Sequence, residues 1–249
     1  MTYHFAVGPD VHVRDLADWY LLNTRLQRIT GSTFRVRFYD DFTELHRAFA
    51  AGRVDLAYAN ASDTAELLPV GFLPLVRPIG VSDEATIIVA ADDPARTVED
   101  LVGATGLTAA ATDAPDVHRI CRILLEPADL DPGTITVTLR PNYTLVAKSV
   151  LDGESRAAFL LRTAYDDLST AVRTGLRPLI SSQISVISHT LLAAPSITAL
   201  TPKITDGLLA MNGNPADAGL LARLGAPSGW GRATPSDMSL LVDVINALA

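Results

Sequence analysis

Apolar residues in this chain switch repeatedly between a strand-like and a helix-like spacing, and that alternation constrains the fold more than any other feature. Phe34, Val36 and Phe38 alternate with Arg35 and Arg37, as in a strand with one buried face. Leu16, Trp19, Tyr20, Leu22 and Leu26 before them, and Phe42, Leu45 and Phe49 after them, form helical stripes that stop at Gly31 and Gly52. His4 to Val7 and Val54 to Tyr58 complete a strand–helix–strand–helix–strand order. A parallel sheet with helical crossovers is the expected result, so the fold class is α/β.

The same grammar continues downstream. Strands are expected at Ala85 to Ala91, Leu107 to Ala111, Ile135 to Leu139, Ala157 to Leu161 and Ile187 to Ala193, with Leu176 to Ile180 leading onward to the last of them. Helices are expected after Thr97 as a cap, at Tyr143 to Leu151, and in the tail at Ile204 to Met211, Ala216 to Leu224 and Ser236 to Ala249. AFAAGRVDLAYAN (Ala48 to Asn60) and SVLDGESRAAFLL (Ser149 to Leu161) share one design: a helix end, a glycine stop at Gly52 or Gly153, then a buried strand. That echo favours two lobes of like construction over a single sheet.

One strand-to-helix turn, TDAPDVHRICR (Thr112 to Arg122), is unusual. Such turns aim backbone N–H groups and a positive dipole end at one point, a common ligand position in α/β proteins. Here carboxylates occupy it: Asp113 reads as an N-cap, Pro115 suits the first turn, and Asp116 stands at the third position. The alternatives are a turn that binds a ligand and a turn that only caps itself.

A net charge of −8 argues against nucleic acid and against an anionic membrane surface as partners. No apolar run approaches the roughly 18 residues of a membrane span. The single cysteine, Cys121, rules out an internal disulfide and a cysteine-cluster metal site, and no metal or cofactor is expected. Met1-Thr2-Tyr3 leads straight into HFAVG, so a cytoplasmic location is expected if Met1 is native and an extracytoplasmic one if a leader has been removed.

GRVDLAYAN (Gly52 to Asn60) resembles a helix–turn–strand segment of type 2 solute-binding proteins, in particular their phosphate, phosphite and phosphonate branch. PLVRP (Pro74 to Pro78), ATIIVAADD with TVEDLVG (Ala85 to Gly103), LEPADLDPGTITV (Leu125 to Val137), VLDGESRAA (Val150 to Ala158) and the tail RLGAPSGWGRATPSDMSLLVDVI follow in the family's order. The resemblance implies a two-lobed type 2 periplasmic-binding-protein clamshell with two crossover strands. Lobe 1 would comprise residues 1–83 plus 186–249, and lobe 2 residues 84–185. A small polar ligand would be held in the interlobe cleft by hinge closure. The branch's hydroxyl-rich anion anchor falls here on Ala114-Pro115-Asp116-Val117, which lacks the hydroxyls, lacks one N–H and adds an acid. The resemblance therefore carries the fold to this chain, and not a simple phosphonate ligand.

The ligand-binding candidates lie at strand ends. In lobe 1 they are Pro9, Asp10, Asp40, Asn60, Ala61 and Ser62, with Ser62 favoured over Asn60 as the cap of its helix. In lobe 2 they are Thr112, Asp113, Asp116, His118, Tyr143 and Arg162. Arg162 is read as a carboxylate fork or as a surface ion pair with Asp166 or Asp167. Ser188 and His189, where the chain re-enters lobe 1, match a cleft-facing position of the family, with His189 a ligand donor or a structural histidine. His118 and Cys121 share a helix face that could serve a soft metal, although a lone cysteine there is more often core. Converging aspartates would favour an amine-bearing or polyhydroxylated ligand, with Arg162 and His189 taking a carboxylate.

No nucleophile elbow, zinc-protease, P-loop or dinucleotide motif is present. A binding protein of ABC-transporter or sensor type is the leading reading, with a permease or a regulator protein as partner. The alternative is a cytosolic lyase or dehydratase on the same fold, with His118, His189 or Asp116 as acid or base.

Overall fold

The computed structural model describes residues 2–11, 16–101, 106–129 and 134–247. Its first elements are β1 (Thr2–Val7), α1 (Leu16–Thr30), β2 (Thr33–Phe38), α2 (Phe42–Ala50), β3 (Leu56–Ala59), α3 (Ala61–Leu67) and β4 (Leu73–Pro78). Next come β5 (Ala85–Ala90), β6 (Leu107–Ala111), α4 (Pro115–Leu124), β7 (Ile135–Leu139), α5 (Tyr143–Leu151), β8 (Ala157–Leu161), α6 (Arg162–Asp166), α7 (Thr170–Arg173) and β9 (Leu176–Ser181). The chain ends with β10 (Thr190–Ala193), α8 (Thr201–Leu209), α9 (Pro215–Arg223), β11 (Trp230–Arg232) and α10 (Pro235–Ala247). Residues 102–103 of TVEDLVG, residues 130–133 of LEPADLDPGTITV and residues 248–249 of the last expected helix lie outside the described residues. No helix among the described residues is long and apolar enough to cross a membrane.

The chain divides into two units, Met1–Ser82 with Val186–Ala247, and Asp83–Ser185. In the first, the sheet order is β11-β4-β10-β3-β1-β2. Strand β1 runs parallel to β2 and β3, but β10 is antiparallel to β3 and β4, and β11 is antiparallel to β4. In the second, the order is β7-β6-β8-β5-β9, with β6 parallel to β7 and β8 and with β5 antiparallel to β8 and β9. Both sheets are thus mixed, where a parallel sheet was expected. Parallel neighbours require a crossover, usually a helix. Strands β5 and β10 follow the two passages of the chain between units, lack such a helix, and lie antiparallel.

One core cluster of the first unit forms on a single sheet face. Phe5, Val7, Leu56, Tyr58 and Leu191 pack with Trp19, Leu22 and Leu26 of α1 and with Ile204 and Leu208 of α8. Gly207 permits this approach, since a Cβ there would lie 2.6 Å from the Ile29 side chain. Trp230 is held at the same core by Asn212, whose side chain bonds both its N–H and its carbonyl at 2.8 Å. The glycine stops behave alike in both units: Gly52 (φ 62°) ends α2 and Gly153 (φ 72°) ends α5, in the left-handed region that glycine reaches at no steric cost.

Three capping expectations are corrected. Asn60, not Ser62, caps α3, its side chain accepting from the Asp63 N–H at 2.8 Å. Ala114, not Asp113, is the cap of α4 and makes no side-chain capping bond, which leaves Asp116 in the second helical position. The Thr97 start holds a single 3-10 turn, Glu99–Leu101, among the described residues, and the acceptor there is Asp100 rather than Thr97.

Candidate functional site

In the first unit the parallel strands β1 and β3 end side by side, with Val7 opposite Tyr58, and β10 begins beside them, with Thr190 opposite Ala59. The register brings the loop Gly8-Pro9-Asp10, the cap Asn60 and the segment Ser188-His189 to one sheet edge. That is the edge where open α/β sheets hold ligands. His189 Nε2 lies 3.1 Å from Asp10 Oδ2, and Asn60 Nδ2 donates to the same oxygen at 3.3 Å. The His189 and Asp10 side chains are 9% and 4% exposed.

Burial would raise the Asp10 pKa, but the charge on His189 and the hydrogen bonds from His189 and Asn60 outweigh it. The carboxyl is held below its ordinary value of 3.8. The His189 ring stacks on Tyr58 with centroids 5.0 Å apart. Tyr58 in turn rests on Trp19 at 4.6 Å and meets the edge of Trp230 at 6.2 Å. An aromatic column therefore fixes one face of the imidazole and Asp10 fixes one edge. Ser188 and Thr190, which flank the histidine, are buried, with hydroxyls that have no hydrogen-bond partner among the described residues.

Of the other candidates in this unit, Ala61 and Ser62 are buried in the first turn of α3 and Pro9 is half-buried. Asp40 is exposed beside Asp41, the cap of α2, and does not join the Asp10 ensemble. Gly8 is there for space: a Cβ would lie 2.6 Å from Asp10 Oδ1. Because the Asp10 carboxylate is pinned by His189 and Asn60, it cannot step aside freely. Gly8→Ala is expected to destabilise the chain by about 1–3 kcal/mol, the usual cost of overpacking, measured by urea unfolding.

In the second unit β6, β7 and β8 run parallel, so the loops after them also share an edge. Thr112 and Asp113 follow β6, and the Thr112 hydroxyl accepts from the Ala114 N–H at 3.4 Å. His118 Nε2 reaches back 2.6 Å to the Thr112 carbonyl, and its ring meets the edge of Phe159. Asp116 is buried in the first turn of α4. Cys121 is fully buried toward Thr86, and burial pushes its thiol pKa far up. His118 and Cys121 thus have separate structural partners. Among the described residues no group of three His, Cys, Asp or Glu could hold one.

Tyr143 opens α5 after the cap Asn142 and is buried. Arg162 donates to Asp166 at 3.0 Å and lies 3.4 Å from the Ser181 hydroxyl, with its side chain 45% exposed. One of the two readings of Arg162 expects such an ion pair with Asp166. One contributor had little signal in the sequence: Tyr58, the platform under His189, stood out only as the aromatic that ends its expected strand.

The chain belongs to the family of periplasmic substrate-binding proteins of phosphonate ABC transporters, whose pattern it matches over residues 5–238. It is accordingly a solute-binding protein of ABC-transporter type, and membership implies a small-molecule ligand and a permease partner. The structure resembles PhnD1 from Prochlorococcus marinus, solved with methylphosphonate, with TM-score 0.84 and 11% identity over 99% of this chain and 98% of that one. A binding protein component of a phosphonate ABC transporter from Pseudomonas aeruginosa matches with TM-score 0.81 and 13% identity, over 99% and 86% of the two chains. The aliphatic sulphonate-binding protein SsuA from Escherichia coli gives 0.62 and 16%, over 99% and 87%. At such identities the likeness is one of fold, the α/β fold of the two-lobed binding proteins. No match to a curated protein sequence was found. Nothing in these comparisons supports the enzyme alternative.

Proposed function

We propose that each unit supplies half of a ligand site, that the units close on a small polar solute, and that this solute is not a simple phosphonate. The observation that carries the reading is charge matching. Two of the basic candidates already face a carboxylate: His189 faces Asp10 within the first unit, and Arg162 faces Asp166 within the second. A phosphonate dianion would find no surplus positive charge at these positions, and burying it uncompensated is costly.

The start of α4 supports the same conclusion. Pro115 has no N–H to offer, Ala114 has no hydroxyl, and Asp116 places an acid in the first turn. A zwitterion suits neutral pairs better, with its acidic group toward His189 and Arg162 and its ammonium toward the aspartates. The domain division proposed for this function is residues 1–83 plus 186–249 for one lobe and 84–185 for the other. The permease, rather than a sensor or regulator protein, is the partner that goes with it.

A thermal-shift and titration panel of amino acids, polyols, alkanesulfonates and methylphosphonate tests the proposal. A zwitterion present at 100 times its Kd is expected to stabilise the chain by about 2.7 kcal/mol, with methylphosphonate giving no shift. Binding of phosphonates alone would overturn it.

A further inference from the structure

We infer that Glu84 is a positioning residue of the binding cycle, a carboxylate clasp that ties together the two passages of the chain between its units. The chain passes from the first unit to the second at Ser82/Asp83 and returns at Ser185/Val186. Glu84 stands next to the outgoing passage and reaches the returning one. Its Oε1 accepts from the Ser185 N–H at 2.7 Å. Its Oε2 accepts from the Ile184 N–H at 3.0 Å and from the Ser182 hydroxyl. The Ser182 hydroxyl in turn accepts from the Ala85 N–H at 3.0 Å, and the Ser182 N–H donates to the Ala85 carbonyl at 2.9 Å.

Three donors on one carboxylate make a charge-assisted set, stronger than neutral hydrogen bonds. The backbone bears a cost to form it. Ser185 has φ 61°, a left-handed conformation that residues with a Cβ adopt only when their surroundings hold them there. Holding Ser185 in this state aims its N–H at Glu84. With the clasp made, residues 84–85 and 182–185 move as one piece, so rotation between the units is confined to the residues beyond it. None of these groups is a ligand candidate, so Glu84 acts through geometry alone.

The inference rests on the proposal that the units close on a ligand, and it is tested without one. Spin labels at Leu145→Cys in α5 and Leu240→Cys in α10 place one probe on an exposed site of each unit, while Cys121, fully buried, stays unlabelled. The inter-label distance distribution of the ligand-free native chain is expected to be narrow, and that of Glu84→Ala wider. The amides of Ile184 and Ser185 are expected to exchange hydrogen at least about tenfold faster in Glu84→Ala, as loss of a charge-assisted bond implies. Glu84→Gln keeps the size and loses the charge, and should fall between.

Unchanged distributions and unchanged exchange in folded Glu84→Ala would overturn the clasp. Should that variant fail to fold, Glu84→Gln carries the same test. In the native chain, amides of Ile184 and Ser185 exchanging as fast as unbonded ones would overturn it as well. Failure of the binding proposal looks different, since no solute of the panel would then shift the native chain.

Discussion

Asp10→Ala is expected to cost about 3 kcal/mol of stability and to abolish ligand capture. Removing one partner of a buried ion pair leaves the other without compensation, which typically costs about 3–5 kcal/mol, and the lower end is expected here. The Asn60 amide loses its acceptor in the same step. Asp10→Asn keeps the shape and should cost less, while still breaking the charge match with His189.

The pH dependence has a defined sign. The folded Asp10 carboxyl lies below its ordinary value of 3.8. It therefore binds fewer protons folded than unfolded in that range, and its contribution is complete above the ordinary value and disappears as pH falls below it. Urea unfolding of the native and Asp10→Ala chains should differ most near neutrality and converge in acid. A gap that persists unchanged down to acid pH would show that Asp10 does not act through its charge.

The second large effect is expected at Trp19, which is 1% exposed and lies between Phe5, at 6.0 Å, and Tyr58, at 4.6 Å. Trp19→Ala should cost about 3–5 kcal/mol through lost burial and an unfilled cavity. It should also loosen the stack that presents His189, so ligand affinity is expected to fall together with stability. Trp19→Phe makes a useful partner. The buried indole N–H has no hydrogen-bond acceptor among the described residues, so phenylalanine removes an unsatisfied donor along with some volume. A cost of about 1 kcal/mol is expected, typical of a near-conserving core exchange. Equal costs for the two variants would mean that the column is held by other contacts.

How much of this was legible in the sequence depended on local punctuation. Helix α5 and strand β8 coincide with their apolar patterns because Asn142 opens the helix, Gly153 stops it, and the strand is apolar at every position. Strand β4 was obscured by Pro74 and Pro78, which disrupt a strand pattern but are tolerated here, Pro74 close to the register shift against β10. Strand β11 is three residues long inside a Pro/Gly-rich link. The direction of β5 and β10 was not legible, because it depends on where the chain comes from and not on the strand's own residues.

The candidate site shows the same division. Asp10, Asn60 and His189 were each visible as strand-end polar residues, but no local pattern links an aspartate and a histidine 179 positions apart. At the α4 turn the cap was misplaced by one residue. A lone acid before a helix looks like a cap, and the Thr112 hydroxyl that takes the Ala114 N–H instead is equally plausible from sequence.

Strand β10 sits between β3 and β4, in the middle of the first unit's sheet, yet it comes from the far end of the chain. During vectorial synthesis the segment Asp83–Ser185 is complete while that sheet still lacks its central strand. The second unit can thus gain its contacts early, whereas β3 and β4 wait with unpaired ladder groups until residues past Ser188 emerge. Asp10 shares this delay, since its counter-charge is among the last third of the chain to be made. Assembly of the first half-site is therefore a late, long-range event, and a nascent chain carries its binding residues well before it can use them.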